Sequence, residues 1–188
     1  MRIVSLLLLA LAAGSLQGCF PVAAVGVGTG VMMAQDRRTA GAYVEDGAIE
    51  AKVFDHIVKR YKDNVHVNTT SFNRNVLISG EAPSDAVKTE IGRLVSGIEN
   101  VRNVSNELVV SGTSSLTSRS SDSLITSDVK LRFVGDKRFS AEHVKVVTEN
   151  GTVFLMGIVK RAEADAATEV ASTTGGVQRV VKLFEYLD

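Results

Sequence analysis

Apolar and polar residues alternate along Glu142 to Gly157 with Asn150-Gly151 in the middle. That is the pattern of two half-buried strands joined by a tight turn. Val144 and Val146 on one arm and Val153 and Leu155 on the other would line one face. The same wording occurs once earlier. His66-Val67, Asn73, Val76, Ile78 and Gly80 precede His143-Val144, Asn150, Val153, Leu155 and Gly157 by a constant offset of 77. The hairpin, and with it a small domain, is therefore duplicated.

Ahead of each hairpin the period becomes helical. Ile49, Val53 and Ile57, then Ile125, Val129 and Phe133, recur at four-residue steps. The first of these helices is expected to begin near Asp46 and end near Tyr61. After the first hairpin, Ser84 is an N-cap candidate for a helix carrying Ile91, Leu94, Val95 and Ile98. Val101, Val104, Leu108 and Val110 then make one closing strand. After the second hairpin, Arg161 to Ser172 is an Ala-rich helix stopped at Gly175-Gly176. Val177, Val180, Leu183 or Phe184, and Leu187 close that copy. The expected fold is α+β, two tandem αββαβ units, each with its helices packed on one face of a three-stranded sheet.

The pattern divides the chain into a leader (1–18), a tether (19–44), a first domain (45–112), a linker (113–121) and a second domain (122–188). Ser111 to Ser123 holds seven Ser and no apolar period, so the linker reads as flexible. Each copy is small for one hydrophobic core, which favours two cores leaning on each other.

Ile3 to Ala13 is an apolar run behind Arg2. As a helix it would rise about 16 Å, half a bilayer core, which suits a signal peptide rather than a transmembrane span. Leu16-Gln17-Gly18-Cys19 follows and resembles the lipobox of bacterial lipoproteins. That resemblance implies cleavage before Cys19, diacylglyceryl on its sulfur and an acyl group on its new amine. Phe20, in place of an Asp retention signal, points by the same resemblance to the outer membrane. Pro21 to Ala34 is Val/Ala/Gly-rich, and Gly26, Gly28 and Gly30 stand outside any βαβ unit, so they form no nucleotide loop.

Composition narrows the function. Basic and acidic side chains balance at 21 each, which argues against a global attraction to nucleic acid. Trp is absent, so base-stacking platforms have little material. A single Cys excludes an intramolecular disulfide. His56, His66 and His143 have no metal-ligand spacing, and His66 and His143 belong to different copies. No nucleophile elbow or phosphate loop occurs, and Glu163 and Asp165 read as a solvated face. No catalytic residue, metal site or free cofactor is expected.

The helix before the second hairpin carries more. With Ile125 as zero and 100° per residue, Val129 falls at about 40° and Phe133 at about 80°. Leu124, Leu131 and Val134 fall well off that stripe, at about −100°, −120° and 180°. Lys130 and Lys137 flank Val134, and Arg132 would have to snorkel if its side is buried. Apolar side chains beside Lys suit a membrane surface. Packing against the other domain, or simple exposure, would also account for them. By the same wheel Phe54, Val58 and Tyr61 on the first helix are candidates for an interdomain face.

Anchor, duplication, linker and the run Thr148 to Gly157 together resemble the dual BON-domain outer-membrane lipoproteins of the DolP family, as do Asp36-Arg37-Arg38 and Asp46-Gly47. The resemblance implies a periplasm-facing, lipid-anchored protein that binds anionic phospholipid and helps maintain the outer membrane, with a presence at division sites. It implies a lipid contact through Leu124, Lys130, Leu131, Val134, Lys137 and Arg138. In that family the position of Leu124 is typically aromatic, so this chain lacks an interfacial Trp there. The alternative is a non-enzymatic adaptor for the barrel-assembly machinery or for cell-wall remodelling proteins.

Overall fold

The computed structural model describes residues 36–188. The leader, Cys19 and the tether up to Gln35 lie outside the described residues. Helix α1 spans Ala40–Tyr61, and its first turn is closed by the Thr39 hydroxyl, which accepts from the Ala42 N–H at 3.1 Å. It thus begins six residues before Asp46, inside the segment read as tether.

Strands β1 (His66–Phe72) and β2 (Asn75–Ala82) pair antiparallel around Asn73 and Arg74, whose φ of 50° and 65° make a type I′ turn. Helix α2 (Asp85–Ser96) starts at Ser84, whose hydroxyl accepts from Val87 N as expected. The closing strand comes in two pieces, β3 (Asn103–Asn106) and β4 (Val109–Val110), both parallel to β2. Between them Leu108 turns into the core, and the Asn106 side chain accepts from Leu108 N while donating to Lys88 O. A buried Leu and a side chain that takes over ladder bonding explain the break.

The Ser-rich segment is not a free linker. Helix α3 runs Leu116–Gly135 with Ser115 as its N-cap, the hydroxyl accepting from Ser118 N. Ser120, Ser123 and Ser127 donate to the carbonyls of Leu116, Arg119 and Ser123, one turn back. Serines satisfied inside the helix need no apolar period to be helical, which hid them from a hydrophobicity pattern. The second copy continues with β5 (Val144–Glu149), β6 (Thr152–Val159), α4 (Arg161–Ser172) and β7 (Arg179–Tyr186). Its sheet has the order β5-β6-β7, and its turn, Asn150 at φ 48° and Gly151 at φ 68°, matches the first.

In each copy the helices cover one face of the sheet. Ile49, Val53, Ile57, Tyr61, Ile91 and Val95 pack on Val76, Ile78 and Ala82. Ile125, Val129, Phe133, Ala167 and Val170 pack on Val144, Val146, Val153 and Leu155. The two helix-free faces meet each other. Phe72 and Leu77 of the first sheet bury against Phe154 and Met156 of the second, rimmed by Val147, Ile158, Val181 and Leu183. The order of layers is helix, sheet, sheet, helix. The interdomain face is therefore not Phe54, Val58 and Tyr61. Tyr61 is in the first core, and Phe54 and Val58 are 69% and 46% exposed. A helix wheel marks what is off the core stripe but says nothing of the far side of the sheet.

Candidate functional site

Two places gather the residues of interest, the outer face of α3 and the seam between the sheets. On α3, Ile125, Val129 and Phe133 are buried, which turns the opposite face outward. Leu124, Leu131 and Val134 are 68%, 70% and 76% exposed. They pack on neither sheet. Leu116, assigned to the linker by its composition, lies on the same line as Val134 five turns away and is 79% exposed. The apolar stripe is thus about 27 Å long. No helix among the described residues is long and apolar enough to cross a membrane.

The cations beside the stripe differ in kind. Lys130 and Lys137 are exposed and held by no described carboxylate. Arg138 is bound at 2.7 Å by both Asp136 and Glu169, which hold its pKa above the ordinary value. In this arrangement Arg138 is engaged by two carboxylates, although its side chain is half-exposed. Arg132 is itself exposed to solvent. It donates to Val170 O at 2.9 Å and Thr174 Oγ1 at 2.7 Å, closing the C-terminal turn of α4.

The seam holds what sequence spacing could not reveal. His66 and Glu81 are cross-strand partners in β1 and β2, and Glu149 ends β5 of the other domain. His66 Nδ1 lies 2.8 Å from Glu81 Oε2, 3.8 Å from Glu149 Oε1 and 3.5 Å from Ser114 Oγ. Glu81 is 1% exposed and Glu149 7%. Burial works to raise the Glu81 pKa, yet donation from Ser114 N, Asn150 Nδ2 and His66 holds it below its ordinary value. For Glu149 burial prevails and pushes the carboxyl up, against the hydrogen bond from Asn68. His66 and His143 hold equivalent hairpin positions in separate domains, yet His66 reaches across to the second domain. His56 is exposed. Glu163, read as solvated, accepts from Arg37 at 2.6 and 2.8 Å and from Lys160 N.

Comparison with known proteins follows the duplication. The BON domain family matches residues 45–112 and again 121–188. The chain is 40% identical over 175 residues to the "Outer membrane lipoprotein DolP" of Haemophilus influenzae, covering 92% of this chain and 91% of that protein. It is 35% identical to the "21 kDa hemolysin" of Actinobacillus pleuropneumoniae, over 81% of this chain and 79% of the relative. The "Osmotically-inducible protein Y" of Escherichia coli is 32% identical, over 74% and 72%.

Proposed function

The chain belongs to the BON-domain family, in two tandem copies, and from that premise we propose that it binds anionic phospholipid through α3 and supports the integrity of the outer membrane. Likeness along 92% of its length to an outer-membrane lipoprotein supports an outer-membrane location. In this reading Cys19 carries N-acyl and S-diacylglyceryl groups and the domains face the periplasm. Two or more acyl chains, at about 0.8 kcal/mol per buried methylene, make attachment stable.

The observation that carries the reading is the exposed stripe Leu116, Leu124, Leu131 and Val134 beside Lys130 and Lys137. An apolar line on a helix whose other face is a packed core lies flat in a headgroup layer, and each Lys adds about 1 kcal/mol near anionic lipid. The test is flotation of the protein with vesicles of phosphatidylcholine alone or with phosphatidylglycerol. Binding is expected only with the anionic lipid and falls at least tenfold in Val134→Glu combined with Lys130→Glu and Lys137→Glu. Unchanged binding by that folded variant sinks the assignment to α3.

A second reading rests on another surface. Phe54, Val58, Val65 and Val67 line a groove of about 590 Å³ along the edge strand β1. An adaptor for barrel-assembly or division-site proteins would use such a groove. Photo-crosslinkers at Phe54 and Val58 that capture envelope proteins, with no vesicle binding, would favour it.

A further inference from the structure

We propose that His66, Glu81 and Glu149 form a divalent-cation site straddling the two domains, of the donor set that takes Zn2+. One nitrogen and two carboxylate oxygens, from three strands and both domains, lie within 4.8 Å of one another. Around a zinc ion with bonds near 2.0–2.2 Å, ligand atoms stand roughly 3.4 Å apart. The two distances from His66 Nδ1, 2.8 and 3.8 Å, bracket that spacing.

The hydrogen bonding at the seam favours a cation over the imidazole alone. Nδ1 can donate one hydrogen, yet the Glu81, Glu149 and Ser114 oxygens all converge on it. A second carboxylate buried without a counter-charge is costly. Arg119 does not supply the missing charge, since it is bound to the hydroxyl and carbonyl of Ser114. Asp122, on α3, adds further negative charge near Glu149.

The outer oxygens are already oriented. Asn150 Nδ2 donates to Glu81 Oε1 at 2.7 Å, and Asn68 Nδ2 donates to Glu149 Oε2 at 2.7 Å. Each of these bonds crosses between the domains, and together they aim Glu81 Oε2 and Glu149 Oε1 at the imidazole. Amides that hydrogen-bond the outer oxygen of a carboxylate set the direction of its other oxygen at metal sites. Imidazole with two carboxylates suits Zn2+ better than Ca2+ or Mg2+, which favour all-oxygen shells. A cation here ties β1 and β2 to β5 and makes the packing of the two sheets metal-dependent.

The test takes the full-length protein in detergent micelles, stripped with chelator and titrated with Co2+, then Zn2+, with Mg2+ and Ca2+ as controls. One Co2+ per chain with visible d–d absorption is expected, displaced by Zn2+, together with a melting temperature that Zn2+ raises and chelator restores. Glu149→Gln and His66→Asn, verified as folded by circular dichroism, each weaken binding more than about tenfold, while His56→Ala leaves it unchanged. Independently of any variant, Co2+ broadens the ring resonances of His66 and spares those of His56. The proposal is overturned if the folded protein gives no Co2+ absorption, if His66 resonances do not respond, or if both folded variants bind as tightly as the parent.

Discussion

Asp46 and Asp122 stand in the same place in the two domains, each a helix carboxylate that closes the turn of the following hairpin. Asp46 accepts from Asn73 N at 2.8 Å and Arg74 N at 2.7 Å. Asp122 accepts from Asn150 N and Gly151 N, both at 2.9 Å. In a type I′ turn the two central N–H groups point outward together, and one carboxylate satisfies both. Both aspartates are buried, at 3% and 6% exposure, so nothing else would satisfy those donors without water.

Replacing Asp122 by Ala should therefore cost about 2–3 kcal/mol, because it removes two charge-assisted bonds and strands two turn N–H groups. Asp46→Ala should cost more, since Asp46 also accepts from the Ser71 hydroxyl at 2.6 Å and from Arg38 at 2.9 Å. Urea denaturation followed by circular dichroism measures both. Equal, sub-kilocalorie losses would contradict the clamp.

That pair also shows where the sequence was legible. The hairpins repeat at an offset of 77, and both turns, both helix stripes and the Ser84 cap appear where alternation and four-residue steps put them. The aspartates repeat at 76, not 77, a one-residue slip between helix and hairpin that keeps them out of the hairpin repeat. The first turns of α3 are silent in the hydrophobic pattern because serines hydrogen-bonded to their own helix leave no trace in it. The apolar outer face of α3 was legible as residues off the core stripe. The His66, Glu81 and Glu149 seam was not, since it exists only once two sheets pack, and no spacing along one chain encodes that.

Gly80 and Gly157 are the second matched pair. A Cβ on Gly80 would sit 2.1 Å from His66 O, and on Gly157 2.3 Å from His143 O. Both obstacles are backbone, of β1 for Gly80 and of the turn that leads into β5 for Gly157, and cannot rotate away. Gly80 also has φ at 111°, open to few residues with a side chain. Gly80→Ala and Gly157→Ala are each expected to lose more than about 2 kcal/mol in thermal or urea denaturation. Gly135→Ala, in the last turn of α3 with nothing within 4 Å, should be neutral or stabilising by up to about 1 kcal/mol. If the three behave alike, close strand approach is not what the hairpin glycines provide.

The ion pair of Arg37 with Glu163 should shape the acid limb of stability. Hydrogen bonding from Arg37, against some burial, lowers the Glu163 pKa from 4.5 to about 2. A carboxylate depressed in the folded state stabilises fully above its unfolded pKa and loses that contribution as pH falls through the folded one. The contribution is therefore present above about pH 5 and disappears between there and about pH 2. Glu163→Gln should lower stability at pH 7 by about 1–2 kcal/mol and flatten the fall in melting temperature between pH 5 and pH 3. A variant whose pH profile parallels that of the parent would show that the pair contributes nothing to folding.

The contact between the sheets yields the most discriminating stability test. Phe154 and Met156 are each 2% exposed, and Leu77 and Phe72 are 0% and 4%. Their burial comes from the other domain and not from their own helices, which cover the opposite faces. Leu77→Asp would set an unpaired carboxylate in this apolar layer while leaving Ile49, Val53 and Ile91 packed in their own core. The sheets should then part without either helix–sheet core unfolding. Hydrogen exchange is expected to rise along β1 and β5, whose cross-domain bonds, from Lys145 to Glu50 and from Asn68 to Glu149, would open. Denaturation should split into two transitions, one per domain, where the parent shows a single one. Phe154→Ala, which leaves a cavity but no charge, should keep the single transition, with a stability lower by about 3–4 kcal/mol. If Leu77→Asp also unfolds in one step, the two domains are a single cooperative core, and the seam is part of the fold rather than a joint.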